Sequence, residues 1–206
     1  KKKLNTVNPS NAIQHPNWKM GKKISVDSAT LMNKVFEVIE AQRIFNLKKK
    51  FFKILIHPKS YLHSIIKYKN GTSKLLIHDT TMKIPIFNYV CRDLKRKLNT
   101  NKIDLNILNN LELKKPINKQ FPLLKMLNKV PENISLFETI LISANDEIVE
   151  NFLNGNIKFN QIHKILFKIV NLKEFKKFKY KKPKNLEQII KLNKYVRLKT
   201  LNQCIV

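Results

Sequence analysis

The chain has 206 residues, of which 43% are hydrophobic, and a formal net charge of +27. That length and apolar content exclude a disordered tail and allow one or two domains with a real core. No run of about 18 apolar residues is present, so no membrane-spanning helix is expected.

The charge admits a nucleic-acid or anionic-membrane partner. The lysines, however, are spread along the chain apart from Lys176 to Lys184, and Lys, Asn and Ile crowd it as AT-rich codons would produce. Codon bias is the preferred reading, and nucleic acid and membrane are not expected as partners. Two cysteines, Cys91 and Cys204, form no CxxC pair; this argues against a zinc site and fits a reducing compartment. No HExxH pair, Gly-x-Ser-x-Gly or phosphate-binding glycine loop occurs, so a complete nucleotide-binding fold is missing.

In chain order, residues 1–23 read as loop. Their start lacks the apolar segment of a secretion signal and an initiator Met, which suggests the back part of something longer. His15 to Gly21 combines the single Trp with Pro and Gly; Trp18 either anchors this loop or covers a ligand, and Gly21 serves a turn or lets backbone approach a bound group. The β-branched run Ile24-Ser25-Val26 then leads into a helix expected from about Ser28 to Asn46, capped by Asp27 or Ser28. Thr30, Asn33, Lys34 and Glu37 share one face of it, and Leu31, Val35, Ile39 and Phe45 read as core. A helix start with a cation and an amide attracts an anion and leaves Glu37 for a cation or proton. From spacing alone, an ordinary exposed Lys/Glu pair is the preferred reading.

Phe51 to His57 reads as a buried strand ended by Pro58. Ser64–Lys69 and Thr72–Ile77 flank Asn70-Gly71, which predicts a hairpin with both turn residues at positive φ. Residues 92–119 read as a connector punctuated by Pro116. From Pro122 onward the periodicity is helical. The apolar groups are Leu123, Leu124, Met126 and Leu127; Leu136, Ile140, Leu141 and Ala144; Ile148, Phe152 and Leu153; Ile162, Ile165, Leu166 and Ile169; and Leu186, Ile189, Ile190 and Leu192, with Gly155 as a breaker. The expected fold class is α+β, the rear part of an α/β catalytic domain, followed by a small C-terminal helical bundle. The expected domains are 1–95 with a flexible flap, a 96–119 linker, and 120–206.

One long stretch narrows this further. His15-Pro16-Asn17-Trp18-Lys19-Met20-Gly21-Lys22-Lys23-Ile24-Ser25-Val26-Asp27-Ser28-Ala29-Thr30-Leu31-Met32-Asn33-Lys34-Val35-Phe36-Glu37-Val38-Ile39-Glu40-Ala41 resembles the signature of 1-deoxy-D-xylulose 5-phosphate reductoisomerases. The resemblance continues through Ile56 to Ser64, more weakly through Met82 to Ile86, and through Ser143-Ala144-Asn145-Asp146-Glu147-Ile148-Val149. It covers nearly the whole chain and corresponds to the later half of that enzyme.

The resemblance implies NADPH-dependent rearrangement and reduction of 1-deoxy-D-xylulose 5-phosphate to 2-C-methyl-D-erythritol 4-phosphate, in non-mevalonate isoprenoid biosynthesis. It implies that Ser28, Asn33 and Lys34 hold the substrate phosphate. His15 would contact substrate from a flap lidded by Trp18, and Glu37 would be one carboxylate of a Mg²⁺ or Mn²⁺ site. His15 and Glu37 are thus the implied catalytic residues. Met20, Gly21, Ser60 and Met82 would lie toward the nicotinamide of NADPH. A homodimer and a cytoplasmic location, or a plastid-type organelle in a eukaryote, are further implications. The departures are local and large-scale. Thr80-Thr81 replaces the family's Pro-Asp, its Trp-Pro is missing around Tyr89 to Arg92, and its Asp-x-Glu metal motif and NADPH-binding domain would lie upstream of this chain. The chain alone is therefore expected to be inactive. A basic RNA-binding protein and an inactive remnant are the alternatives.

Overall fold

The architecture is taken from a computed structural model, which describes residues 7–13, 20–91, 96–102 and 104–205. By contact these residues form two compact units. One holds residues 7–13, 20–53 and 117–205, the other 54–116. This grouping cuts across the 1–95, 96–119 and 120–206 division expected from sequence order, because residues 20–53 pack with the C-terminal helices.

In the first unit, a short helix α1 (Pro9–Ala12) precedes α2 (Lys22–Thr30) and α3 (Met32–Phe45). Ile24-Ser25-Val26 is therefore helical, and the single helix expected from Ser28 is two. They meet at Leu31, whose φ of 59° places it in the left-handed region and ends α2. The break shifts the phase of the apolar stripe. Met32, Val35, Val38 and Gln42 are buried, whereas Phe45, expected in the core, is 66% exposed. Asp27 does not cap a helix start. It lies inside α2 and is buried.

The second half of this unit is built on α6 (Leu136–Leu153). Ser135 and Glu138 form a capping box that satisfies the first N–H groups. Gly155, at φ 80°, permits the reversal after the helix. Phe137, Ile140, Leu141, Ile148 and Phe152 of α6 are all buried, so α6 is the central helix rather than a half-exposed one. A 3-10 segment, Pro122–Asn128, packs against α3, and α7 (Phe159–Val170) packs against α6 through Ile162, Leu166 and Ile169. A short helix α8 (Lys173–Lys176) buries Phe175 before α9 (Leu186–Cys204) closes the bundle. The buried stripe of α9 is Leu192, Val196, Thr200 and Cys204, while Leu186 and Ile190 face solvent. Of the expected apolar group, Leu192 joins this stripe, and the stripe continues beyond the group through Val196, Thr200 and Cys204. The two-part order, α+β and then a helical bundle, holds.

The second unit contains one antiparallel hairpin, β1 (Leu62–Lys67) and β2 (Ser73–Ile77). Its turn differs from the expected one. Tyr68 accepts from the Gly71 N–H and donates to Thr72, and only Gly71 has positive φ, at 90°. This is a three-residue loop with the left-handed residue last. The Asn70 side chain holds it by accepting from the Thr72 N–H and hydroxyl. Phe51 to His57 forms no buried strand. Phe51 is 64% exposed, and Ile56 finds a single bridge partner, Lys114. An apolar run becomes a strand only where another strand completes its ladder. Helices α4 (Lys83–Val90) and α5 (Leu105–Asn109) complete the unit, and Asp104 caps α5. Among the described residues no helix is long and apolar enough to cross a membrane.

Candidate functional site

The α2–α3 elbow collects the residues singled out for anion binding. Ser28 lies in the last turn of α2, and its carbonyl accepts from the Leu31 N–H at 3.1 Å. Asn33 and Lys34 stand in the first turn of α3, whose N-cap residue is Leu31. The Thr30 hydroxyl takes the first free N–H of that turn, the Met32 N–H, at 3.4 Å, but Leu31 has no side-chain oxygen for the N–H groups that follow, so they are left for another acceptor. Lys34 Nζ lies 2.7 Å from a Glu37 oxygen, and Asn33 Nδ2 donates to the other at 2.6 Å. Lys34 and Glu37 are both nearly half exposed, so water screens the pair and an incoming anion can compete for Lys34.

Glu37 offers one carboxylate. Among the described residues no three His, Cys, Asp or Glu side chains come together as a metal site. Divalent cations of the magnesium class need several oxygen donors, so these residues do not by themselves fit a resident metal.

The expected cofactor residues divide between the units. Met20 and Gly21 precede α2 in the first. Gly21 has φ −60° and nothing within 4 Å of the place a Cβ would take. Its own backbone does not demand glycine, which removes the turn explanation. Ser60, at φ 52°, lies just before β1 in the second unit, and Met82, 56% exposed, caps α4 after β2. His15 and Trp18 lie outside the described residues.

Cavities line both units. One of about 520 Å³ in the second unit is lined by Lys59, Tyr61, Asp79, Thr81, Asn101 and Asp104. Another, about 450 Å³ between α3 and α6, is lined by Phe36, Ile39, Arg43, Glu138 and Ile142. Neither includes Ser28, Asn33, Lys34 or Glu37.

Behind the elbow lies a polar network that periodicity does not reveal. Asp27, 2% exposed, accepts from Asn145 Nδ2 at 2.8 Å and pairs with Lys23 at 2.9 Å. Lys23 also pairs with Asp146 at 2.9 Å, and Arg197 of α9 reaches Asp146 and Glu147. Burial pushes the Asp27 carboxyl above its ordinary value, and the hydrogen bonds from Asn145 and Lys23 offset that only in part. Burial alone would lower Lys23, but its two carboxylate partners outweigh it and hold the ammonium above the usual value. In the sequence Asp27, between Val26 and Ser28, reads as a helix cap and gives no sign of a buried acid.

Residues 1–45 match the profile of the 1-deoxy-D-xylulose 5-phosphate reductoisomerase C-terminal domain, and residues 78–199 that of the DXP reductoisomerase C-terminal domain. The chain is 57% identical over 198 residues to the reductoisomerase of Pelagibacter ubique, covering 96% of this chain and 51% of that protein. It is 33% identical over 197 residues to that of Proteus mirabilis, covering 96% and 48%. Among solved structures, it resembles the Zymomonas mobilis reductoisomerase in complex with NADPH, with a TM-score of 0.81 and 28% identity over 98% of this chain and 50% of that one. It also resembles a DOX-P reductoisomerase in complex with NADPH, fosmidomycin and magnesium, with a TM-score of 0.88 and 29% identity over the same shares. The chain spans about half the length of the curated relatives it matches. With one profile covering 78–199 and this fold shared throughout, the chain belongs to the 1-deoxy-D-xylulose 5-phosphate reductoisomerase family.

Proposed function

We propose that this chain forms the C-terminal part of a reductoisomerase that converts 1-deoxy-D-xylulose 5-phosphate to 2-C-methyl-D-erythritol 4-phosphate with NADPH. The α2–α3 elbow carries the reading. Ser28, Asn33 and Lys34 gather at a helix start whose N-cap has no side-chain acceptor, which suits a phosphate dianion. Lys34 neutralises the phosphate and in doing so leaves its partner Glu37. Glu37 then contributes one carboxylate toward a Mg²⁺ or Mn²⁺ whose remaining protein ligands come from outside this chain. Such an ion, when bound, polarises a substrate carbonyl. Gly21 and Met20 face the nicotinamide end of NADPH, which supplies the hydride. The open space at the Gly21 Cβ position supports close approach of a bound group. Ser60 and Met82 are further NADPH contacts in this reading, and His15 is a substrate contact.

The quaternary part of the reading is a cytoplasmic homodimer. The β1–β2 hairpin leaves Ile65, Ile66, Leu75 and Leu76 more than 40% exposed. A two-stranded hairpin is marginal alone, so its faces call for cover from a second copy or from the remainder of the enzyme. Both cysteines are free thiols, in keeping with a reducing compartment.

The test is reconstitution. The 206-residue chain, mixed with substrate, NADPH and Mg²⁺, is expected to leave NADPH absorbance unchanged. Co-expressed with the front half of the Pelagibacter ubique relative, it is expected to oxidise NADPH in a substrate-dependent way, and Lys34→Ala is expected to raise KM by about a hundredfold, the loss of one charge-assisted phosphate contact. A reconstituted pair that binds NADPH but shows no turnover would overturn the function. Turnover by the chain alone would overturn its dependence on a front half.

A further inference from the structure

Asp27 sits directly before Ser28, yet its carboxylate points away from the elbow, into the bundle. Asn145 of α6 donates to it at 2.8 Å across 118 residues of sequence. Asn145 is 0% exposed, and its Oδ1 has no hydrogen-bond partner among the described residues. A buried amide with one end unsatisfied is kept at a cost. The other end must then do something an apolar residue would not. From Asp27 the path into α3 is continuous. The Thr30 hydroxyl donates to the Asp27 carbonyl at 3.2 Å, and the Met32 N–H, first in α3, reaches the same hydroxyl oxygen at 3.4 Å. Between them stands Leu31 in the left-handed region, a conformation that costs a non-glycine residue roughly 1 kcal/mol and persists only where its surroundings hold it. Val26, with 0% exposure, packs beside the anchor, so α2 cannot slide without opening the core.

We propose that Asp27 is a positioning residue: through Asn145 it fixes the α2–α3 elbow to α6, so that Ser28, Asn33 and Lys34 present one surface to a phosphate. The phosphate half of this statement rests on the function proposed above, and the fixing of the elbow does not. Lys23 and Arg197 extend the same tie, pairing with Asp146 from α2 and from α9. The helical bundle thereby sets the geometry of a site to which its own helices contribute no ligand.

The chemistry of the pair supplies the test, because donor and acceptor can be exchanged. Asn145→Asp sets two carboxylates against one another, Asp27→Asn leaves two amides that can still bond, and the double variant restores a carboxylate–amide pair in reverse. Amide hydrogen exchange of the full 206-residue chain is followed at residues 28–34, with α7 as the internal reference. Asn145→Asp is expected to speed exchange at 28–34 by about tenfold or more while α7 stays within about twofold, as local opening requires. Asp27→Asn is expected to have a smaller effect of the same kind, and the double variant to recover most of the protection. Titration with inorganic phosphate, followed by ³¹P NMR, is expected to show the same order of affinities. The inference is overturned by unchanged exchange at 28–34 in Asn145→Asp, by an equal rise in α7, or by a double variant no better than Asn145→Asp. If the unaltered chain shows the expected exchange pattern but ignores phosphate, the elbow tie stands and the phosphate reading fails. Should Asn145→Asp not fold, Asp27→Asn decides between the same two exchange patterns.

Discussion

Arg43 offers the sharpest test of how the elbow helices are held to the bundle. Its Nε donates to Glu138 at 2.8 Å, and Nη2 reaches the same carboxylate. Nη1 bonds the Glu132 carbonyl, and Nη2 also lies 3.2 Å from the carbonyls of Pro131 and Asn133. One guanidinium thus joins α3 to the loop before α6 and to the cap of α6, because Glu138 also accepts from the Ser135 N–H. The two side chains are only 20% and 15% exposed, so water replaces the interaction poorly. Breaking a fully buried pair costs about 3–5 kcal/mol. Two features reduce that here. The loop 131–133 is half-buried to exposed, so its carbonyls can be rehydrated, and Glu138 keeps its capping role at a helix N-terminus. Arg43→Ala is therefore expected to cost about 2–3 kcal/mol. In urea unfolding followed by circular dichroism, with a slope of about 2 kcal/mol/M, the midpoint falls by about 1–1.5 M. Glu138→Gln keeps an acceptor for the Ser135 N–H and isolates the charge. The double variant should then show a coupling of about 1–2 kcal/mol with Arg43→Ala. A loss below about 0.5 kcal/mol, the range of an exposed ion pair, would refute the argument that burial makes this arginine structural. Simple additivity with Glu138→Gln would refute it as well.

Two further outcomes follow from single residues. At Leu31, glycine should be more stable than alanine by about 1 kcal/mol in the same unfolding assay, the reverse of the order inside a helix, because only glycine adopts a φ of 59° without strain; the ordinary helical order would place Leu31 outside the left-handed region. Cys204 is 4% exposed, and burial, with the nearby Glu147 charge, pushes its thiol from 9.0 up to about 11. Between those values the folded chain keeps a proton that the unfolded chain releases, so stability falls as pH rises from 9 to 11, by about 2–3 kcal/mol in all. Cys204→Ala should lack that increment of the alkaline loss, and a pH dependence identical to that of the unaltered chain would count against it.

What was legible in the sequence was what neighbours along the chain decide. Asn70-Gly71 marks a hairpin because Gly71 needs positive φ and the Asn70 side chain folds back on Thr72. The apolar groups of α6 and α7 are buried as their periodicity requires. What was not legible depends on distant partners. Ile54-Leu55-Ile56 has the composition of a strand but meets only Lys114. Leu186, Ile190 and Leu192 look like core, but only Leu192 of these three is buried, and the stripe continues through Val196 and Thr200, a threonine whose hydroxyl is spent on the Val196 carbonyl. Asp27 looks like a cap by its type and place, and is not one because α2 starts five residues earlier and carries it inside, where its carboxylate meets Asn145.

The candidate site shows both kinds of information in one short segment. Asn33, Lys34 and Glu37 lie together because a helix places positions three and four apart on one side. Any straight helix over these residues would do as much, which is why spacing alone favours a plain ion pair. The left-handed Leu31 makes the difference. It ends α2 just after Ser28 and starts α3 just before Asn33, so a new helix N-terminus opens where a continuous helix would have buried its N–H groups in the preceding turn. Leucine is a poor residue for that conformation, and nothing local explains its use. The explanation lies in Met32, Val35 and Val38. With the break at Leu31 these three and Gln42 are buried, while Asn33, Lys34 and Glu37 stay half-buried to exposed on the outer side. The strain at one residue is therefore offset by apolar burial worth about 1.5–3 kcal/mol per fully buried side chain, and the same break creates the helix start that an anion can use.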